Sequence, residues 1–533
     1  MVLALLVSAL LLSVPCQSAS LQHWFAPTSQ KVYPDTTAPA EGYPPLIMAA
    51  LGEYEALQLV LRSEEDVPDL QVLVRPPRQL AQGSASLPLA NVELFEARYV
   101  PTPADKKHPL TPDPLVPVMA RDGTAHLSLK GRQTTSLWVR VHVPEGAQPG
   151  AYVLRLILGQ QGQVNLPHTE TSAVLASLTP VDVRVLVLPF RLPRRTHVRT
   201  AFGISGSYVA LQHGIKPEGE AYEELYRRYY DELLRHRVCA YHVPYGVTDW
   251  RALPYLRDER VNAFVVPYTA DAATLARTWR YLVDRGVAYK AWVYPLDEPV
   301  RRQQYEELKK RAALVHRAAP GLKVCSPFYR GPDWDKKLTP FDELVGYLDI
   351  WCVNTLYYSR PQITRLIRER QEKGEEAWWY VCCGPGSPFC NFFVNMAALQ
   401  HRLLPWQMYR YGITGLLYWS TTYWNPKYTK NPFEDMATVK DINRNIYGDG
   451  SLFYPGSKVG LDGPVTSVRL ECLRDGLEDY EYLVLARRCL GEEAVEKLVE
   501  QITPELRRYE TDAVKFEQAR RELAERITEA CRR

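Results

Sequence analysis

Two rhythms of apolar and polar positions divide the chain. From Ser20 to Arg194 short runs alternate residue by residue: Ala56–Val60, Leu70–Val74, Ala125–Leu129, Ser136–Val143, Tyr152–Leu158 and Val181–Leu188. Turn residues separate them, as at Glu145–Gly146 and Pro149–Gly150. A period of two with such punctuation predicts short antiparallel strands, and several in succession predict a β-sandwich. The polar, proline-bearing stretch Arg191–Arg195 is a natural boundary.

From Thr200 the rhythm changes. Apolar runs at Ala201–Ser205, Cys239–Val243, Ala263–Pro267, Ala291–Tyr294, Lys323–Pro327, Ile350–Val353, Trp378–Cys382 and Leu416–Trp419 now alternate with amphipathic stretches. The latter include Tyr222–His236, Ala272–Arg285, Gln303–Ala318, Gln362–Lys373 and Ala397–Tyr411. Strands alternating with helices predict parallel βαβ units, and eight of them predict a closed (β/α)8 barrel. After Pro432 the pattern is mixed. Val468–Leu473 reads as a strand, Asp475–Tyr482 as the capped start of a helix with a solvated acidic face, and charged amphipathic helices run on to Arg533. The predicted organisation is a leader at 1–19, a β-sandwich at 20–194, a barrel at 195–435 and a C-terminal, helix-rich α/β region at 436–533.

Composition adds limits. A net charge of +3, nearly balanced, gives no electrostatic footprint for nucleic acid or an anionic membrane. The apolar run Val2–Val14, followed by Pro15 and small residues to Ala19, reads as a secretory leader and is too short to span a bilayer. No lysine or arginine precedes it. The ten cysteines leave nine, an odd number, after such cleavage, and no spacing resembles a zinc site or a disulfide scaffold. Adjacent Cys382 and Cys383 are expected on opposite faces of a strand. With 33 Tyr and 12 Trp against 13 Phe, the aromatic side chains favour rings with a polar handle, which suit sugars as well as cores. No metal or other cofactor is expected.

The candidate chemistry sits at Tyr294–Pro299, YPLDEP. Asp297 and Glu298 follow the fourth predicted strand, at the end where barrel enzymes carry their sites. The alternative is that they are acidic residues capping the next helix. Other polar and aromatic residues gather at the same strand ends: His242 and Tyr245, Tyr268, Tyr294, Tyr329, then Asn354, Tyr357 and Tyr358, then Trp419, Tyr423 and Trp424. For a glycoside, two carboxyl groups ~5–9.5 Å apart are the usual requirement. The seventh run ends in Cys382–Pro385 and supplies no carboxylate; Glu375 and Glu376 lie at its other end. An adjacent Asp–Glu pair suits substrate-assisted hydrolysis, in which the 2-acetamido carbonyl of the sugar is the nucleophile. Glu298 would then be the acid/base and Asp297 the group that orients the acetamide.

YPLDEP, WWYVCCGP at 378–385, GLLYWSTTYW at 415–424 and LRDGLEDYEYL at 473–483 together resemble glycoside hydrolase family 123. The resemblance covers roughly 200–490. It implies a barrel behind a sandwich, a substrate-assisted retaining mechanism on terminal β-linked N-acetylgalactosamine, catalytic residues at Asp297 and Glu298, and an aromatic sugar platform at Trp419 or Trp424. The substrate partner would be a glycan or glycoconjugate with a 2-acetamido sugar. Two other readings stay open: a glycosidase for another sugar with a second carboxylate such as Asp333 or Asp335, and a non-catalytic glycan-binding protein.

Overall fold

The computed structural model describes residues 21–80, 85–160, 178–330, 339–436 and 446–531. The expected leader, Asp333 and Asp335 lie outside these residues. Among the described residues, no helix is long and apolar enough to cross a membrane.

The N-terminal part is built from sheets. Gln22–Ala26, Glu53–Arg62, Thr134–Val143, Val92–Pro101 and Leu110–Pro117 pair antiparallel in one sheet. Leu46–Leu51, Thr179–Arg191, Gly150–Gln160, Val67–Gln79 and Thr124–Leu129 form the other. In Thr179–Arg191 the alternation is plain. Val181, Val183, Val185 and Val187 are buried while Asp182 and Arg184 are exposed. These valines share one apolar core with Leu57, Leu59, Leu61, Val139 and Val141 of the first sheet. That sheet is completed from far along the chain. Pro464–Ser467 pairs with Leu110–Pro117, and Tyr454–Pro455 pairs with Pro464–Ser467.

The next part is parallel. Arg199–Phe202, Gly415–Tyr418, Glu376–Val381 and Ile350–Asn354 form one four-stranded sheet. Phe264–Val266, Ala291–Val293 and Lys323–Val324 form a three-stranded sheet. Parallel bridges Cys325–Ile350 and Phe328–Val353 join the two. On the other side the expected run Cys239–Val243 is not a ladder strand. It makes one bridge, Ala240 to Phe202, and its Tyr241 carbonyl accepts from the Val265 N–H at 2.8 Å. Proline at 244 and glycine at 246 leave it no length to extend. Ala201, Val265, Trp292, Cys325, Cys352, Trp378, Tyr380 and Leu417 meet in one interior cluster, with Tyr241 packed against it. The alternate residues of the same strands, such as Val293, Val353, Trp379 and Leu416, face the surrounding helices.

The C-terminal part is helical, and here two expectations fail. Val468–Leu473 is not a strand but the first turns of the helix Val468–Leu490, capped by Ser467, whose hydroxyl accepts from the Leu470 N–H at 3.2 Å. Nor is its acidic face solvated. Asp475, Glu478, Asp479 and Glu481 are all buried. Each carboxylate has a basic partner: Asp479 meets Arg402 at 2.7 Å, Asp475 meets Arg474 at 2.7 Å, Glu478 meets Arg237 at 3.0 Å and Glu481 meets the His197 imidazole at 2.6 Å. Gly476 lets the helix press against Ala398–Arg410, since an added Cβ would lie 2.4 Å from the Arg402 carbonyl oxygen.

Arg402 is 1% exposed and serves Asp479, Glu517 and Asp475 together. Removing one partner of a buried pair strands the other charge. Arg402→Ala should therefore cost about 3–5 kcal/mol of stability, read from chemical denaturation; a loss below about 1 kcal/mol, the range of an exposed pair, would show that the cluster is not sealed from water.

Candidate active site

Ala291–Val293 ends as Trp292 packs inward, 5.3 Å from Trp378 between ring centres. The chain then leaves the sheet through Tyr294–Pro299. The next helix, Arg302–Ala318, starts later, and its first free N–H groups are met by Gln304, whose amide oxygen accepts from Val300 at 3.1 Å and Arg301 at 2.9 Å. The two carboxylates are thus not helix caps. Each is held instead by a tyrosine. Asp297 Oδ1 accepts from the Tyr294 hydroxyl at 2.5 Å. Glu298 Oε1 accepts from the Tyr380 hydroxyl of strand Glu376–Val381.

Glu298 has a φ of +36°. A side chain in this left-handed region costs ~1–3 kcal/mol and persists only where surrounding structure enforces it. Its effect is to break the alternation that would send Asp297 and Glu298 to opposite faces.

Glu298 lines a cavity of about 520 Å3, with Tyr329, Asn354, Tyr357, Cys382 and Cys383 among its walls. Burial pushes its carboxyl above the ordinary range; the Tyr380 hydrogen bond opposes this, the Asp297 charge adds to it, and Arg330 opposes it. The net direction is up, towards a carboxyl that keeps its proton. Asp297, next in the chain, is exposed and is not among the residues that line the cavity.

The other expected residues divide. Asn354 and Tyr357 line the cavity, and Asn354 also caps the short helix Thr355–Tyr358, accepting from the Leu356 N–H at 3.0 Å. Tyr294 serves Asp297. His242 is exposed next to Tyr241 and does not line the cavity. Trp419 is half-buried, its indole N–H donating to Asp449 at 3.1 Å and its ring 4.7 Å from that of Tyr423. Trp424 corrects the expectation of a sugar platform. It is wholly buried against Tyr229, because the backbone after Tyr418 turns inward where the Thr421 N–H bonds the Gly203 carbonyl. Cys382 and Cys383 are also corrected. The strand stops at Val381, the chain bends, and the two sulfurs lie 3.9 Å apart on one side.

Three contributors were not anticipated. Tyr380 could have been found from the alternation Trp378, Tyr380, Cys382, which sets all three on the interior face. Arg360, beside Tyr357, carries no such signal. Nor does Asp449, in a glycine-rich turn well past the last strand. Burial raises its carboxyl to about 6, and Tyr418 and Trp419 both donate to it. At 1% exposure it cannot reach a sugar in the cavity. Glu375 and Glu376 are engaged at the far end of their strand, with Arg370 at 2.9 Å and Arg199 at 2.7 Å. Among the described residues, no cluster of ligands could hold a metal ion. A larger cavity, about 1080 Å3, opens by His197 and Thr414 at the opposite ends of the strands, and its walls carry ion pairs such as Arg487–Glu492.

Residues 268–486 match the family model described as glycoside hydrolase 123, catalytic domain. Among solved structures, a family 123 glycoside hydrolase from Clostridium perfringens, studied for glycolipid glycan hydrolysis, superposes with a TM-score of 0.66 at 13% identity, over 96% of this chain and 98% of that one. A GH2 β-galacturonidase from Eisenbergiella tayi gives a TM-score of 0.31 at 10% identity, over 85% and 71%. No curated protein matches the chain.

The raised carboxyl of Glu298 has a consequence for stability. An acid with a folded-state pKa above its unfolded value of about 4.3 weakens the fold as pH rises through that interval. Glu298→Gln keeps the shape and removes the ionisation. It should melt higher than wild type at pH 7, with the gap closing as pH falls towards about 4; thermal denaturation across that range giving a lower melting point for the variant at pH 7 would reverse the assignment.

Proposed function

We propose that this chain, which belongs to glycoside hydrolase family 123 through its residues 268–486, removes a terminal β-linked 2-acetamido sugar, N-acetylgalactosamine, from a glycan by a substrate-assisted retaining mechanism. The observation that carries the reading is the carboxylate pair itself. Two consecutive acids meet at a left-handed residue, Glu298 half-buried on a cavity wall and Asp297 exposed beside it, each with its own tyrosine donor.

In this reading Glu298, protonated at rest, gives its proton to the glycosidic oxygen as the bond to the aglycone breaks. The acetamido carbonyl oxygen attacks the anomeric carbon from the opposite face. Asp297 accepts the acetamide N–H, sets the carbonyl in line and balances the positive charge that spreads into the oxazoline-like ring. Glu298, now a carboxylate, takes a proton from the water that opens this ring. Tyr380 stabilises the carboxylate form through its hydrogen bond, which assists proton loss in the first step. Tyr294 holds Asp297 in one rotamer. Asn354 and Tyr357 at the cavity wall, Trp419 on the rim and His242 further out are the candidate sugar contacts.

The architecture assumed is the eight parallel segments as the staves of one (β/α)8 barrel. Residues 20–194 form the β-sandwich before it and 436–533 the accessory region behind it, and the leader at 1–19 directs export. Support for the barrel is the shared interior cluster to which all eight segments contribute.

A panel of aryl β-glycosides tests the sugar. N-acetylgalactosaminide should be cleaved, galactoside and glucoside should not, and an oxazoline-mimicking thiazoline should inhibit far below substrate KM. Cleavage of the plain galactoside would remove the acetamide from the mechanism. For the roles, Asp297→Asn should slow turnover by orders of magnitude. Glu298→Ala should lose more rate on poor leaving groups than on activated aryl ones; an equal loss on both would make Glu298 a positioning group.

A further inference from the structure

The strand Glu376–Val381 hands over to a bend at Cys382 and Cys383. Both sulfurs face the cavity that Glu298 lines, 3.9 Å apart, and the Cys382 sulfur also lies 3.7 Å from the Gly384 carbonyl oxygen. Cys239, Cys325, Cys352, Cys390 and Cys472 are buried, and Cys489 is exposed on the helix Val468–Leu490. Cys383 is the exposed partner and Cys382 the half-buried one. Their contact holds the Cys383 thiol below its usual range and pushes that of Cys382 up. Ionisation is therefore favoured on the solvent-facing sulfur over the half-buried one, which is the order that an attacking thiol with a resolving thiol behind it requires.

We propose that Cys382 and Cys383 close into a vicinal disulfide that serves as an apolar platform for a sugar ring in the Glu298 cavity, with a low-molecular-weight disulfide as oxidant. The Cys383 thiolate attacks one sulfur of the oxidant, whose S–S bond breaks and releases one thiolate. Cys382 then gives its proton to solvent, and its sulfur attacks the Cys383 sulfur. The protein S–S bond forms and the second small thiolate leaves. Two protein thiols and one disulfide thus become one protein disulfide and two small thiols.

Adjacent Cα atoms stand ~3.8 Å apart, less than the ~4.4–6.8 Å that disulfides usually span. The ring is strained and yields readily to a dithiol reductant. Closing it removes two S–H groups and an ionisable sulfur from a wall that faces a carboxyl. What remains is a rigid, uncharged surface of sulfur and methylene. The C–H face of a pyranose packs on such a surface without leaving a polar group unpaired.

The test uses the full-length protein treated with oxidised glutathione, alkylated with iodoacetamide and digested. The peptide carrying 382–383 should hold neither alkyl group nor glutathione, and both cysteines should become alkylatable after dithiothreitol. Cys382→Ser should instead retain a stable glutathione on Cys383. Free alkylation of both residues after oxidation, or a bridge from either to Cys390, would overturn the pairing. The platform role rests on the glycosidase reading, and it predicts a KM several-fold lower for the oxidised than the reduced enzyme on its aryl glycoside. An equal or higher KM in the disulfide form would remove the ring from the sugar-facing wall. The peptide map decides the disulfide even if no glycoside is cleaved.

Discussion

The buried helix Val468–Leu490 is the constraint on which the rest of the architecture leans. Its Arg469 bonds Asp113 of the N-terminal sheets at 2.8 Å, and its Asp479 bonds Arg402 of the helix Ala398–Arg410 at 2.7 Å. Arg140 from the sheets reaches its Glu471 at 2.5 Å, and Arg520 of the last helix reaches its Asp479 at 3.3 Å. Charges buried at this density gain little net energy over a well-packed apolar core, because desolvation offsets most of the attraction. What they do is penalise every misalignment. A slip of the helix by one residue would strand several carboxylates at once. The parallel strands that carry the site are thereby tied to the sheets in front of them, and the strand Pro464–Ser467 that enters the helix is itself part of those sheets.

Within that frame the site spends energy rather than saving it. A carboxyl is half-buried where its neighbour is negative, on a residue whose backbone is strained. Packing alone would select neither. The compensations are local: a tyrosine hydroxyl for each acid, and a helix that draws its caps from Gln304 rather than from them. Burial and the neighbouring charge hold this carboxyl above its ordinary range, the direction in which a carboxyl must be moved before it can serve as a general acid.

Much of this was legible. Seven of the eight apolar runs after Thr200 are strands, because buried parallel strands read as short continuous apolar stretches bounded by turns. The exception, Cys239–Val243, contributes a single bridge. The helix Val468–Leu490 differs from the expectation for a definite reason: its stretch Val468–Leu483 is buried on every side, so the 3.6-residue alternation that reveals a surface helix is missing there. Its acids looked like a solvated face because partners such as Arg402 for Asp479, Arg237 for Glu478 and His197 for Glu481 come from distant parts of the chain, a relation no local pattern carries. Trp424 failed in the same way, since its burial depends on a turn back to Gly203. The Asp–Glu pair stands out in the sequence because its place at a strand end is a local property, whereas Tyr380 as partner of Glu298 is an 82-residue relation.

The pairs Asp297–Glu298 and Cys382–Cys383 share one device. Side chains that follow one another in a strand point to opposite faces, so two neighbours can act on one ligand only where the strand has ended. At Asp297–Glu298 the alternation is broken by a left-handed residue, and at Cys382–Cys383 by a bend straight after Val381. Both breaks fall just past very short strands, of three and six residues. A longer strand would have carried the pleat through each pair and turned one member outward to the helices. Short strands thus do more than close a small sheet: they end the pleat before each consecutive pair, and the strain at Glu298 is the cost of doing so within a single peptide unit.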